Sequence, residues 1–334
     1  MGVEKLAGRG EEAGSEGKLP GSSAGLGQRR SGLVLYPALS RRAGGLSLGV
    51  NLFPDGKRCS FDCAYCEVLP GPGGPPFSIT ALESELGAWA ASAQVGAAGG
   101  SDTVSGPIAG PEPSRIPLDI AFAGDGEPTL SPFLGAAIES VADARRRWPS
   151  VFGASKIVLI TNSTGFLDEG VVAYLHRAVE RHGLEIWAKL DAGTEAWYRR
   201  IDRRGPDFGR LFDAILSFAR RSTIVIQSMF CAVVADSEGG TGAMIAPPES
   251  EIAHWARRMV DLAVGGARIG ELQVYTQSRD SPHRLTSPLE DESLMTIARR
   301  ASKAIAGATL GQQAVIPIRV FGRKAELDAR GGLT

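Results

Sequence analysis

The chain of 334 residues has only four cysteines and four histidines. Neither a dispersed disulfide framework nor a histidine-rich metal site can be built from so few. It also lacks any apolar run approaching the ~20 residues that a membrane-spanning helix requires. No secretory-type apolar centre stands near its first residue, so the expected address is cytoplasmic, with no membrane partner. An excess of one charge is missing too: 36 basic residues face 37 acidic ones. A dedicated nucleic-acid binder carries a strong basic excess, which this balance argues against. Arginine pairs recur at Arg41–Arg42, Arg199–Arg200, Arg203–Arg204 and Arg220–Arg221. Their plain reading is as solvated helix ends and turns.

Residues 1–30 are rich in Gly, Ser, Glu and Arg without a hydrophobic period and read as a disordered tail. Residues 31–325 read as one domain, with loop insertions at about 91–117 and 236–248, and 326–334 as a flexible C-terminus. Six apolar runs are candidate strands: Ser47–Phe53, Leu118–Ala123, Lys156–Thr161, Glu185–Leu190, Thr223–Phe230 and Glu271–Tyr275. Their weak alternation suits strands buried on both faces. Between them lie amphipathic segments with helix-start signals: Thr80 with Glu83, Ser131–Pro132, and Ser287–Pro288 with Glu290. Strand alternating with helix predicts an α/β fold of parallel strands joined by right-handed crossovers. Six units fit either an open doubly wound sheet or a partly closed barrel, and in both the chemistry gathers beyond the carboxyl ends of the strands.

Three of the four cysteines, Cys59, Cys63 and Cys66, stand within eight residues in a C-x3-C-x2-C spacing. Three thiolates on one loop can hold three irons of a [4Fe–4S] cluster and leave the fourth open to a small molecule, whereas most electron-transfer clusters use four cysteines. The alternative is a closed zinc site with Cys231 as fourth ligand, in a non-enzymatic binding protein. Cys231 lies inside the apolar run Val225–Val234, where core packing is its plainer role.

The C-x3-C-x2-C loop, with Tyr65 just before its last cysteine, resembles the signature of the radical S-adenosylmethionine (SAM) superfamily. Gly124-Asp125-Gly126-Glu127-Pro128 is similar to that family's Gly-Gly-Glu-Pro element with Asp125 inserted. Thr161-Asn162-Ser163 resembles its Thr-Asn-Gly, with serine in place of glycine, and Lys189-Leu190-Asp191 ends the next strand. The resemblance implies a partial (β/α)6 TIM-like barrel, one [4Fe–4S] cluster on Cys59, Cys63 and Cys66, and SAM bound at its open iron. Reductive cleavage of SAM to a 5′-deoxyadenosyl radical follows from the same resemblance. It further implies that Tyr65 packs near the adenine, that Gly124, Gly126 and Glu127 meet the methionine end, and that Asn162 and Asp191 complete the nucleotide site.

Within that superfamily the chain is similar to uncharacterised iron–sulfur oxidoreductases related to wyosine-forming tRNA enzymes. Ser40-Arg41-Arg42, Gly45-Leu46-Ser47-Leu48-Gly49 and Ile226-Gln227-Ser228-Met229-Phe230 carry that likeness. The wyosine enzymes themselves use an additional cluster, for which Cys231 alone does not suffice. The expected electron donor is a separate protein of flavodoxin or ferredoxin type. The substrate is open, with RNA one candidate, and no residue is assigned to the chemical step itself. Arg41–Arg42 and Arg199, Arg203 and Arg204 are candidate anion contacts.

Overall fold

The computed structural model describes residues 33–71, 73–97, 116–235, 242–309 and 315–328. Its main sheet has nine strands: β1 (Leu35–Ser40), β2 (Gly45–Val50), β3 (Asp119–Phe122), β4 (Lys156–Thr161), β5 (Leu184–Lys189), β6 (Ile224–Met229), β9 (Ile269–Tyr275), β11 (Ile318–Phe321) and β12 (Glu326–Leu327). Neighbours in space follow the order of the chain, from β1 at one edge to β12 at the other. A doubly wound sheet reverses direction at a switch point. Here every crossover adds its strand on the same side, and the twisted sheet curls into a partial barrel. β2 through β11 run parallel, while β1 and β12 pair antiparallel at the edges. The six strands expected from sequence are therefore present, and β11 is a seventh parallel one whose short run carries Arg319.

Helices cover the outer face: α1 (Ile79–Ala97), α2 (Leu134–Arg147), α3 (Pro149–Phe152), α4 (Glu169–His182), α5 (Glu195–Ile201), α6 (Phe208–Arg221), α7 (Glu249–Val264) and α8 (Asp291–Thr309). Local chemistry sets their ends. Asp168, Thr194 and Asp207 accept from the backbone N–H of Val171, Trp197 and Arg210 as N-caps. Gly183 ends α4 in the left-handed region, at φ 66°. In α6, Phe208, Leu211, Phe212, Ile215 and Phe218 recur at helical spacing and are all buried. Each such side chain contributes roughly 1.5–3 kcal/mol by burial. They pack in one continuous core with the outward residues of the strands, among them Ile186, Ile226 and Leu272. The opposite strand faces enclose a second, small apolar cluster of Ala121, Val158 and Trp187.

Two helix starts differ from the expectation. α1 is capped by Ser78, whose hydroxyl accepts from Ala81 N at 3.1 Å, so Thr80 lies inside the first turn. Helix α1 also runs on through Ala97, into what reads as a loop from 91, and residues 98–115 lie outside the described part. Ser287 and Pro288 belong to β10 (Thr286–Pro288), paired with β7 (Cys231–Val234), and α8 starts at Asp291. Cross-strand pairing to Ala232 and Cys231 has overridden a local capping signal there. β8 (Met244–Ile245) completes this second sheet within the expected 236–248 insertion, of which 236–241 are not described. Glu326–Leu327 form β12 rather than part of a loose end, and the expected tail at 1–30 lies outside the described residues. Among the described residues no helix is long and apolar enough to cross a membrane.

Candidate functional site

The motifs expected to meet the cluster and nucleotide end up at or just beyond the carboxyl ends of parallel strands, whereas Ser40-Arg41-Arg42 lies in the turn ahead of β2. The cysteine loop follows β2, Gly124–Pro128 follows β3, Asn162 follows β4, Asp191 follows β5, and Tyr275 closes β9. The loops are then bonded to one another.

Asn51, at the end of β2, ties the first two together. Its side-chain amide donates to Asp125 Oδ2 at 2.9 Å, and its carbonyl oxygen accepts from Asp125 N at 3.1 Å. One residue before the first cysteine, Arg58 forms a short parallel bridge with Gly126. Its N–H donates to Asp125 O and its carbonyl accepts from Glu127 N. The bridge explains Gly126, and the Asn51 side chain explains Gly124. A Cβ on Gly126 would sit 2.1 Å from Arg58 O, and one on Gly124, at φ 155°, would sit 2.6 Å from Asn51 Oδ1. Gly126 makes room for the chain's own cysteine loop, and Gly124 for the Asn51 side chain that ties β2 to Asp125.

Glu127 is buried, with both oxygens occupied. Oε1 accepts from Thr129 N, Thr129 Oγ1 and Thr161 Oγ1, and Oε2 accepts from Asn162 N at 2.7 Å. Burial pushes this carboxyl up, and the bonds from Thr161, Asn162 and Thr129 pull against that rise. Asn162 passes the order on to the cysteines: Nδ2 donates to Ser60 Oγ at 2.9 Å and lies 3.6 Å from Cys59 Sγ. Ser163, where the resemblance has glycine, sits in the left-handed region at φ 71°, held by Thr161 Oγ1 and by its own bond to Lys189 O. Glycine enters that region without the steric cost that serine meets.

On the other wall, Tyr65 OH donates to Asp191 Oδ2 at 2.5 Å. Asp191 also accepts from Met229 N at 2.8 Å and pairs with Lys189 Nζ at 3.0 Å. Lys189 Nζ donates in turn to Tyr275 OH at 2.7 Å and stands 5.0 Å over the Tyr65 ring. Burial works against the Lys189 ammonium, but Asp191, Tyr275 and Cys63 outweigh it and hold its pKa above the usual lysine range. Tyr65 is pushed well up by burial and then by Asp191, so it stays a phenol and a donor.

All four cysteines are free; Cys59, Cys63 and Cys66 are half-buried and Cys231 is buried. Cys63 Sγ donates to Asp202 Oδ1 at 3.3 Å, and Cys66 Sγ lies near Val68 O. The cysteine loop is clipped to the end of α5, with Asp62 N and Ala64 N donating to Asp202 O and Ile201 O. Burial raises Cys59 to about 11, and burial with the Asp202 carboxylate raises Cys63 well above a free thiol. Asp202 is a site residue that no sequence signal marks, because its place depends on α5 meeting the loop after β2. A cavity of about 440 Å³ opens beside Cys59, lined also by Asp55, Lys57, Arg58, Asp62 and Arg204.

Among the described residues no three His, Cys, Asp or Glu side chains converge as a ready metal cage. The three thiols instead follow the loop's separate hydrogen bonds. Their chemistry fits an iron–sulfur cluster: three soft donors on one loop, with amide and hydroxyl groups beside them. Cys231 is held apart in β7, opposite Pro288, and packs in the core. Of the arginines considered as anion contacts, Arg199 bonds Glu195, Gly205 O and Pro206 O, and Arg203 pairs with Asp62 at 2.8 Å. Both hold the α5–α6 connection. Ser228 is likewise structural, bridging Leu190 O and Trp255 Nε1.

No family model matches the chain. It is 27% identical over 209 residues to a UPF0026 protein of Helicobacter pylori strain J99, and 26% identical over 210 residues to that of strain 26695. Each match covers 61% of this chain and 58% of the relative, so the chain spans less than two thirds of those proteins' length. Among solved structures it is similar to TYW1 with a lysine-pyruvate adduct bound, at TM-score 0.47 and 14% identity over 77% of this chain and 73% of that one. A radical SAM methyltransferase from Sphaerobacter thermophilus gives a TM-score of 0.48 and 13% identity over 83% and 66%. The chain is similar in sequence to UPF0026 proteins, and its motifs resemble those of the radical SAM superfamily.

Proposed function

We propose that the protein is a radical SAM enzyme with a single [4Fe–4S] cluster on Cys59, Cys63 and Cys66, acting on a substrate still to be identified. The observation that carries this reading is the bonded ring of motifs at one end of the barrel. Arg58–Gly126, Glu127–Asn162–Cys59 and Tyr65–Asp191–Lys189 are each continuous chains of hydrogen bonds around the cysteine loop. When bound, the cluster and SAM supply the one-electron cleavage of a carbon–sulfur bond that yields a 5′-deoxyadenosyl radical.

The chain's own residues supply position and shelter. Tyr65, fixed by Asp191, presents an aromatic face for the adenine, and Asp191 is the carboxylate nearest that ring for the ribose. Gly124 and Gly126 hold the loop beside the methionine end, and Glu127 is a positioning residue that sets Asn162 and, through it, Cys59. Asp202 accepts from Cys63 Sγ, with its own carboxyl pushed well above the usual range by burial and then by the Asp191 charge. Loading of the thiols releases their protons. The reductant is a separate flavodoxin- or ferredoxin-type protein, and the site of action is the cytoplasm.

Anaerobic reconstitution with iron and sulfide should give about four irons per chain. Its EPR signal should change on adding SAM, and reduction should release 5′-deoxyadenosine. Cys63→Ala should lose cluster and cleavage, whereas Cys231→Ala should keep both. An intact cluster that yields no 5′-deoxyadenosine overturns the catalytic claim. One tightly held zinc without iron, lost in Cys231→Ala, restores the four-thiol alternative.

A further inference from the structure

Arg41 and Arg42 occupy the turn from β1 to β2, closed by Gly44 N donating to Ser40 O at 2.9 Å. Arg41 Nη2 reaches the carbonyl of Thr276, just past β9, at 3.4 Å. Its other terminal nitrogen, Nη1, is buried and has no partner. The Arg42 guanidinium lies 4.8 Å over the ring of Tyr275, and the Arg42 carbonyl accepts from Arg319 Nη1 at 3.3 Å. Among the described residues no carboxylate pairs with Arg41 or Arg42. Neighbouring cations are neutralised: Arg279 pairs with Glu67 at 2.5 Å and Arg319 with Glu326 at 2.7 Å.

Two adjacent guanidiniums with no ion pair of their own are costly to hold half-buried, and Asp291 and Asp119 reach Arg41 and Arg42 only by longer-range attraction, beyond ion-pair distance. Burial, and then the adjacent Arg42 charge, lower the Arg41 pKa, as that cost requires. The place of the pair gives the cost a use. Tyr275 touches Arg42 with its ring face and Lys189 with its hydroxyl, and Lys189 leads directly to Asp191 and Tyr65. The arginines therefore adjoin the proposed reaction site while standing apart from the residues assigned to the nucleotide.

We infer that Arg41 and Arg42 form an oxyanion site that holds the phosphate or carboxylate of a small-molecule substrate, with Tyr275 as the wall between that group and Lys189. Arginine's planar fork matches either oxyanion with paired, charge-assisted bonds. An incoming oxyanion supplies the acceptor that Arg41 Nη1 lacks. The inference takes the identity of the neighbouring reaction site from the proposed function, but the binding event needs no iron.

The test is calorimetric titration of the full chain, both as purified and after cluster reconstitution, with inorganic phosphate and with succinate at matched ionic strength. One saturable site is expected, unchanged in Arg257→Gln on exposed α7 and weakened at least about tenfold in Arg41→Gln and Arg42→Gln. Stronger binding of phosphate assigns a phosphorylated substrate, and stronger binding of succinate a carboxylate. Should Arg41→Gln fail to fold, Arg42→Gln carries the comparison. Phenylglyoxal modification of the unaltered chain adds a second readout, with Arg41 and Arg42 expected to be protected by the bound anion. No saturable binding of either anion overturns the inference, as does an affinity in both variants equal to that of the unaltered chain. Tight binding of a single-stranded RNA that neither small anion displaces overturns it in favour of a macromolecular substrate. Anion binding that survives while SAM cleavage is absent refutes the proposed function and leaves this site standing.

Discussion

Replacing Asp191 by asparagine isolates one charge in an otherwise unchanged geometry. The amide keeps an oxygen for Met229 N, and the Tyr65 hydroxyl can turn to accept from the new NH2. The Lys189 ammonium, with its side chain 14% exposed, loses the carboxylate 3.0 Å away and keeps the neutral Tyr275 OH and the faces of the Tyr65 and Tyr275 rings. Removing one partner of a buried ion pair costs about 3–5 kcal/mol, because the remaining charge is stranded. Removing both charges leaves nothing stranded, so the Lys189→Met, Asp191→Asn double variant should recover most of that loss. The pair therefore predicts a coupling energy of several kcal/mol, at the upper end of what double-mutant cycles find for contacting residues. Urea unfolding of the four proteins at pH 7.5 measures it. That pH suits the purpose: the folded Lys189 pKa lies above its unfolded value of about 10.4, so the contribution is fully present below pH 10 and lost only as pH rises through the folded value. A single-variant loss under about 1 kcal/mol, or additive losses in the cycle, would refute the claim that the pair is buried and mutually dependent.

Two further outcomes follow from local geometry. Gly126→Ala places a methyl 2.1 Å from Arg58 O and 2.6 Å from Phe53 Cδ2, which forces the cysteine loop away from β3. Iron loading on reconstitution should fall sharply, with a stability loss of about 3 kcal/mol or more; normal loading would show that the Arg58–Gly126 bridge does not order the loop. His176 is buried, stacks on Phe218 at 4.3 Å and bonds Ser222 Oγ at 2.7 Å. Burial, and then Arg221, lower its pKa, so the unfolded chain takes up the proton first as pH falls. Its stabilising contribution is present above about pH 6.5 and lost as pH drops through the folded value. Unfolding midpoints of the unaltered chain and of His176→Phe, followed from pH 8 to pH 5, should converge as the pH falls; parallel curves would remove His176 from the acid response.

Parallel α/β architecture was legible from sequence because its determinants are local: six apolar runs of strand length separated by segments of helical period. The cysteine loop and the elements at Gly124, Asn162 and Asp191 were legible for a related reason, since residue type and spacing mark them without a partner. What the pattern of strands and helices could not separate was the doubly wound sheet from the curled one; the partial barrel that is found came only with the resemblance carried by the cysteine loop and the motifs after later strands. That choice lies in the order in which strands join, which depends on the side each crossover takes. Capping signals misled at Thr80 and Ser287, where the hydroxyl of Ser78 and pairing with Ala232 prevailed.

At the site, the amino-acid order determined which chemical groups are present: three thiols, an aromatic ring, two carboxylates and two arginines with no acidic residue close by in sequence. Only the tertiary structure decided what each one faces. It turned Glu127 inward to bind Thr129, Thr161 and Asn162, because the carboxylate is buried between the loops after β3 and β4 and takes its hydrogen bonds from them. The same packing brought Asp202 to Cys63 from the far end of α5. It also gave Arg203 a partner in Asp62 and left Arg41 Nη1 without one. Spacing along a chain sets which donors can meet a cluster, but whether the Arg41 charge or the Cys63 thiol finds a partner depends on residues more than a hundred positions away.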